Sequence, residues 1–251
     1  MSVLRRPRRS TRSLIGTGLG LALALGLAAQ TSLTAAAGTT RPSVVTIRTV
    51  STTVKGAKAT TLAVTYRGTD RFVKRSLETS VAALAATRLA AFNDAYSGPS
   101  PSGHAGEYQL TGKLVANAAP VLALEFAEYL DVAGAHPTNG FHAIIVNSRT
   151  GLVWSQRDLA EQLDAAAPAG VTTLAEVRKA VAAALPTEAR SEASHLALDD
   201  VTLIPTSAGL RVDIDRCVLT CVLGSTETVI GWKRLLAPSE QVDFVPAIWR
   251  R

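Results

Sequence analysis

The chain has 251 residues, 47% hydrophobic and 18% charged, which is the balance of a folded protein and excludes a disordered one. Its 26 Lys and Arg against 20 Asp and Glu give a net charge of +6, yet Arg5, Arg6, Arg8, Arg9 and Arg12 all fall in the first 37 residues, which hold no acid. Without those five, 21 bases face 20 acids, and a net +1 gives no electrostatic ground for nucleic acid as a partner.

Residues 1–37 have the three parts of an export leader. An arginine-rich start ends at Arg12, an apolar run spans Leu14 to Ala29, and Thr34-Ala35-Ala36-Ala37-Gly38 supplies an A-x-A site with Ala35 and Ala37 as the small pair. Cleavage after Ala37 is expected, leaving roughly 214 residues. Cuts after Ala28 or Ala29 and an uncleaved anchor are the alternatives. The apolar run is roughly 16 residues, shorter than the ~20 of a full span. The paired arginines raise twin-arginine export, but Ser10 and Thr11 follow where an apolar residue is usual. No later run approaches a membrane span. The expected location is therefore secreted, in the extracellular space or cell envelope, with no membrane contact once the leader is removed.

Past the leader, Val44 to Val50 alternates as a strand, and Thr60 to Tyr66 forms its partner across the turn Lys55-Gly56-Ala57-Lys58. The period then changes. Val73, Leu77, Val81, Leu84, Leu89 and Phe92 predict an amphipathic helix from Arg71 to Asn93, ended by the Pro- and Gly-rich stretch 98–103. Strands are predicted at Tyr108–Val115, Val121–Leu130, Phe141–Val146 and Leu152–Trp154, with Gly151 serving the last turn. Leu159 and Leu163 mark a short helix. Thr173 with Glu176 reads as the capping box of a second one carrying Leu174, Val177, Val181 and Leu185. Strands follow at Val201–Ile204, Leu210–Ile214 and Glu227–Ile230, then a helical turn at Trp232–Leu236 and the segment Val242–Val245. Strands in runs with helices between them give an α+β fold and not alternating βαβ units.

The two cysteines, Cys217 and Cys221, fit a disulfide in an exported chain. Extended residues four apart lie about 13 Å apart, so a bridge there needs Val218-Leu219-Thr220 to turn. C-x-x-x-C is neither the redox spacing nor half of a zinc pattern.

No constellation for catalysis stands out. There is no G-x-S-x-G elbow, no phosphate-binding loop and no dinucleotide fingerprint, so no cofactor is implied. His104, His136, His142 and His195 are scattered without ligand spacing, and no metal site is predicted. Glu125 and Glu128 fall on opposite faces of one strand. Asp213 and Asp215 share a face with Arg211, opposite Leu210, Val212 and Ile214, the pattern of a half-solvated strand. Trp154 and Trp232 read as core residues.

At Gly134-Ala135-His136-Pro137, then Phe141 to Val146, Thr150-Gly151 and Asp158-Leu159, the chain resembles the DUF3298 family. Thr206 to Leu210, a small-residue loop ending at Gly224, Val229 and a short terminal helix continue the likeness. The resemblance implies an antiparallel sheet with helices packed on it, preceded by a small hairpin-plus-helix lobe. It divides the chain into a signal peptide (1–37), an N-terminal hairpin and long helix (38–100) and a DUF3298-like domain (101–251). The family includes the extracellular part of a lysozyme-sensing anti-sigma factor, parts of some peptidoglycan deacetylases and secreted mycobacterial antigens, and it offers no catalytic residues to carry over. It implies a non-enzymatic binding protein whose partner is an extracellular protein, a lysozyme-like one among the candidates, or a cell-wall ligand. An exported cell-wall hydrolase and an envelope-anchored sensor are the alternatives.

Overall fold

A computed structural model describes residues 31–33, 44–100, 103–133, 137–215, 218–219 and 224–250. A three-residue strand β1 (Thr31–Leu33) pairs with β2 (Val44–Val54), which forms a long hairpin with β3 (Ala57–Arg67). The hairpin turn is only Lys55-Gly56, both at positive φ (48° and 88°), the geometry that matches strand twist. Ala57 and Lys58, expected in the turn, are strand residues.

Helix α1 (Arg71–Ala95) begins at Asp70, whose carboxylate accepts the N–H groups of Phe72 and Val73. It carries the chain over the sheet to β4 (Glu107–Ala118), which pairs with β3 in parallel through Lys58–Thr60. Antiparallel strands β5 (Val121–Asp131), β6 (Thr138–Asn147) and the short β7 (Val153–Trp154) complete a seven-stranded sheet in sequence order. The hairpin and α1 precede the rest as expected, and the crossover of α1 joins the hairpin to the same sheet.

Strand β5 is buried on both faces, which explains its nearly continuous apolar run. Leu122, Leu124 and Phe126 belong to the core under α1, with Leu77, Phe92 and Tyr108. Val121 and Ala123 belong to a second core with Ile145 and Trp154. That second core is closed by α2 (Gln156–Ala166), α3 (Thr173–Ala184) and a three-stranded antiparallel sheet of β8 (Val201–Thr206), β9 (Gly209–Ile214) and β10 (Thr226–Ile230). Trp154 and Trp232 are core residues here, as expected, with Trp232 at the start of α4 (Trp232–Leu235).

Some details differ from expectation. Thr172, not Thr173, caps α3: its hydroxyl accepts the N–H of Ala175. Thr173 is buried, with its N–H on Asp164 and its hydroxyl on the Ala160 carbonyl, while Glu176 faces Arg234. The segment Thr187–His195 is a 3-10 helix with no periodic signature, held by Ala189 and Ala193 in the core. The segment Val242–Val245 is a turn whose Val242, Phe244 and Val245 join the second core.

The expected Cys217–Cys221 disulfide is withdrawn, since no disulfide is found among the described residues; both cysteines lie outside them. The flanking strands need no cross-link to stay together, because Ile214 and Thr226 are ladder partners at the mouth of that loop. The expected leader (1–37) with its expected Ala37 cleavage site, apart from Thr31–Leu33, and the motif residues Gly134, Ala135 and His136 also lie outside the described residues.

Candidate functional site

The four acids singled out from the sequence separate into two clusters. Glu128 and Asp215 meet at an open groove along the edge of β6. Glu125 and Asp213 are enclosed between the two sheets.

Glu128 projects from the α1 face of β5, where an acid among Phe126 and Leu130 needs a partner. Arg88 of α1 supplies one, with Nε 2.9 Å from Oε1 and 3.0 Å from Oε2. His142 Nε2 lies 3.1 Å from Oε2. Burial acts to raise the Glu128 carboxyl, but the hydrogen bonds from His142 and Arg88 outweigh it and hold the group below its ordinary range. The same contact raises Arg88. Glu128 is thus a charged, fully engaged group at the floor of the groove.

Gly140 is the ladder partner of Glu128 on β6. A Cβ at Gly140 would sit 3.3 Å from Glu128 Oε2 and 3.4 Å from Asp215 Oδ2, so the absent side chain is what lets both carboxylates approach the strand. Asp215 lies just past β9 and accepts the N–H of Phe141 at 2.6 Å through Oδ1. Burial lifts the Asp215 carboxyl above its ordinary value despite that bond. Thr202 of β8 donates to the Phe141 carbonyl at 2.9 Å, so the two outward backbone groups of Phe141 are both bound by side chains of the second sheet. Beside these contacts is a cavity of about 440 Å³ lined by Leu84, His142, Gln156, Leu198, Asp199 and Asp215 among others. A smaller, more polar hollow of about 280 Å³, lined by Arg88, Glu128, Thr138, Asn139 and Gly140, adjoins it through Asp215 and Val218.

The expectation of a half-solvated β9 is overturned. Arg211 and Asp213 are 7% and 1% exposed, because their face of β9 packs against the large sheet. Arg211 Nη2 donates to Asp213 Oδ2 at 3.0 Å and also to Glu125, which Lys113 reaches at 3.0 Å from the solvent side. Burial pushes Asp213 up to about 6, against the pull of Arg211. Arg211 Nε and Asp213 Oδ1 have no hydrogen-bond partner among the described residues.

Of the motif turn, only Pro137 is described; it immediately precedes β6 and the groove-lining Thr138. His104 bonds Asp131 at 2.8 Å, which holds that carboxyl low, and His195 is exposed. Arg88, His142 and Gly140 were not identified as site residues from sequence. The legible signal for Arg88 was Glu128 itself, an acid on a strand otherwise apolar on that face. Among the described residues no group of three or more His, Cys, Asp or Glu side chains gathers to hold a metal.

Fold and groove together define an α+β protein with a mostly antiparallel sheet, helices packed on it, and a polar cleft at the sheet edge. No family model and no curated protein matches the chain. Among solved structures, its fold is that of a DUF3298-family protein of Pseudomonas aeruginosa, at 14% identity and TM-score 0.50, covering 80% of this chain and 96% of that one. A DUF3298-family member from Bacteroides fragilis gives 12% identity and TM-score 0.48, covering 86% and 94%. The family fold that the motifs resembled is the fold observed.

Proposed function

We propose that the protein is a secreted, non-enzymatic binding protein of the bacterial cell envelope or extracellular space, with the β6-edge groove as its ligand-contacting surface. The observation that carries this reading is the state of Glu128. Both its oxygens are engaged by Arg88 and His142, so the groove offers a fixed charged floor and no free carboxylate pair for acid–base work. The leader supports export, and the motif likeness supports an extracellular protein or cell-wall fragment as partner, with lysozyme the first to try.

The test is to express the full chain in a bacterium, sequence the N-terminus of the released protein, and measure its retention on lysozyme, on cell-wall fragments and on concentrated spent medium. A start near Gly38 and saturable retention that weakens in Gly140→Ala are expected. Protein found only in membranes with its leader intact favours the anchored sensor. Absence of any saturable partner defeats the binding reading.

One observation keeps the hydrolase as a second reading: Glu128 and Asp215 flank Gly140 in environments that push their carboxyls in opposite directions. Release of soluble fragments from peptidoglycan, abolished by Asp215→Asn, would establish it.

A further inference from the structure

Away from the groove, one end of the molecule gathers exposed apolar and cationic side chains. Phe72 in the first turn of α1 and Leu152 just before β7 are each 55% exposed, and Val153 is 38% exposed. The turn that carries Leu152 rests on the start of α1. A Cβ on Gly151, at φ +76°, would lie 2.8 Å from the carbonyl carbon of Phe72, so glycine is what allows the two backbones to meet. Arg67, Arg71, Lys74, Arg75 and Arg149 flank these residues, and all five are exposed. None has a carboxylate partner among the described residues. The nearby acids are committed elsewhere: Asp70 caps α1, and Glu78 accepts the N–H of Tyr66. The Arg71 guanidinium stands 5.0 Å from the Phe72 ring centroid.

We propose that this end of the protein docks on an anionic lipid surface. Five unpaired cations match a layer of phosphate headgroups, with an attraction that acts within a Debye length. Phe72, Leu152 and Val153 match the boundary between headgroups and acyl chains. A soluble polyanion would satisfy the charges and leave these three apolar side chains in water, whereas a lipid surface takes both. The sequence reading expected no membrane contact after leader removal because nothing downstream could span a bilayer, and among the described residues no helix is long and apolar enough to do so. Peripheral docking needs no span.

The test uses the full chain with Phe72→Trp as a local probe, which reads this end independently of any contribution from the leader. Trp154 and Trp232 are buried, and the unsubstituted chain sets the background. Vesicles of phosphatidylcholine with about 30% phosphatidylglycerol, carrying brominated acyl chains, should quench the new indole at least about twofold beyond background at low ionic strength. The excess should vanish at about 0.5 M salt and when Arg71→Glu and Arg75→Glu are added. Quenching no greater than background, equal quenching by pure phosphatidylcholine vesicles, or an unchanged response in the charge-reversed chain would each overturn the proposal. So would a response to soluble polyphosphate with no lipid quenching, which would assign the patch to an anionic polymer.

Discussion

Replacing Arg211 with Met removes the guanidinium that Glu125 and Asp213 share between the sheets. Glu125 keeps Lys113, which is more than half exposed, and Asp213 keeps no cation among the described residues. Breaking a buried ionic contact from one side costs about 3–5 kcal/mol, because the remaining charge is desolvated and unpaired. The expected loss at pH 8 is of that size, or a fall in Tm of about 10 °C for a chain of this length. The pH dependence carries the sharper information. Asp213 has its folded pKa raised to about 6 from an ordinary 3.8, so the folded protein keeps a proton that the unfolded chain has released. Stability from this group is fully present below about pH 4 and is lost as pH rises to about 6, a decline of about 3 kcal/mol. At pH 5 Asp213 is mostly neutral, and Arg211→Met should cost only about 2 kcal/mol there. Asp213→Asn, which stays neutral, should flatten the decline between pH 4 and 6 and so be more stable than the parent at pH 8. Urea unfolding followed by circular dichroism at pH 5 and pH 8 reads all of these. An Arg211→Met chain within about 1 kcal/mol of the parent at pH 8 would refute the reasoning, as would an Asp213→Asn chain destabilised as much as Arg211→Met.

Arg88→Leu should cost about 2 kcal/mol in urea unfolding at pH 7, less than Arg211→Met because Arg88 is partly exposed and His142 remains on Glu128. That cost should shrink as pH falls and Glu128, held low in the parent, takes up a proton. Gly209→Ala places a Cβ 2.2 Å from the Ile230 carbonyl oxygen at φ +150°, and should lower stability by about 2 kcal/mol or more, read as a Tm shift. Asp70→Ala leaves the Phe72 and Val73 N–H groups at the start of α1 uncapped and should cost about 1 kcal/mol, measured by thermal unfolding.

Much of the local structure was legible in the sequence. The helix predicted over Arg71–Asn93 is Arg71–Ala95, and every strand from Val44 to Ile230 is within a few residues of its expected position. These elements announce themselves because their apolar residues recur with the period of the backbone they form. The α3 cap shows how local reading slips. Thr172 and Thr173 are adjacent cap-forming residues, and only the packing of α2, which takes the Thr173 hydroxyl and N–H, decides between them.

The alternation that identified β9 also misjudged its environment. Arg211 and Asp213 have the polar alternation of a solvated face, and the sequence pattern is the same whether that face meets water or a second sheet with Glu125 waiting on it. The groove was illegible for the same kind of reason: Arg88, Glu128, His142 and Asp215 are spread over 128 positions of chain and converge through side chains from α1, β5, β6 and the end of β9.

The sequence by itself determined the α+β order of elements and the apolar faces, since each is a local property of composition and period. The tertiary structure decided which acids are neutralised, which remain at a surface and where Phe72 meets Leu152. Those outcomes depend on which elements pack together and on how much water each packed face excludes, and no spacing along the chain encodes either.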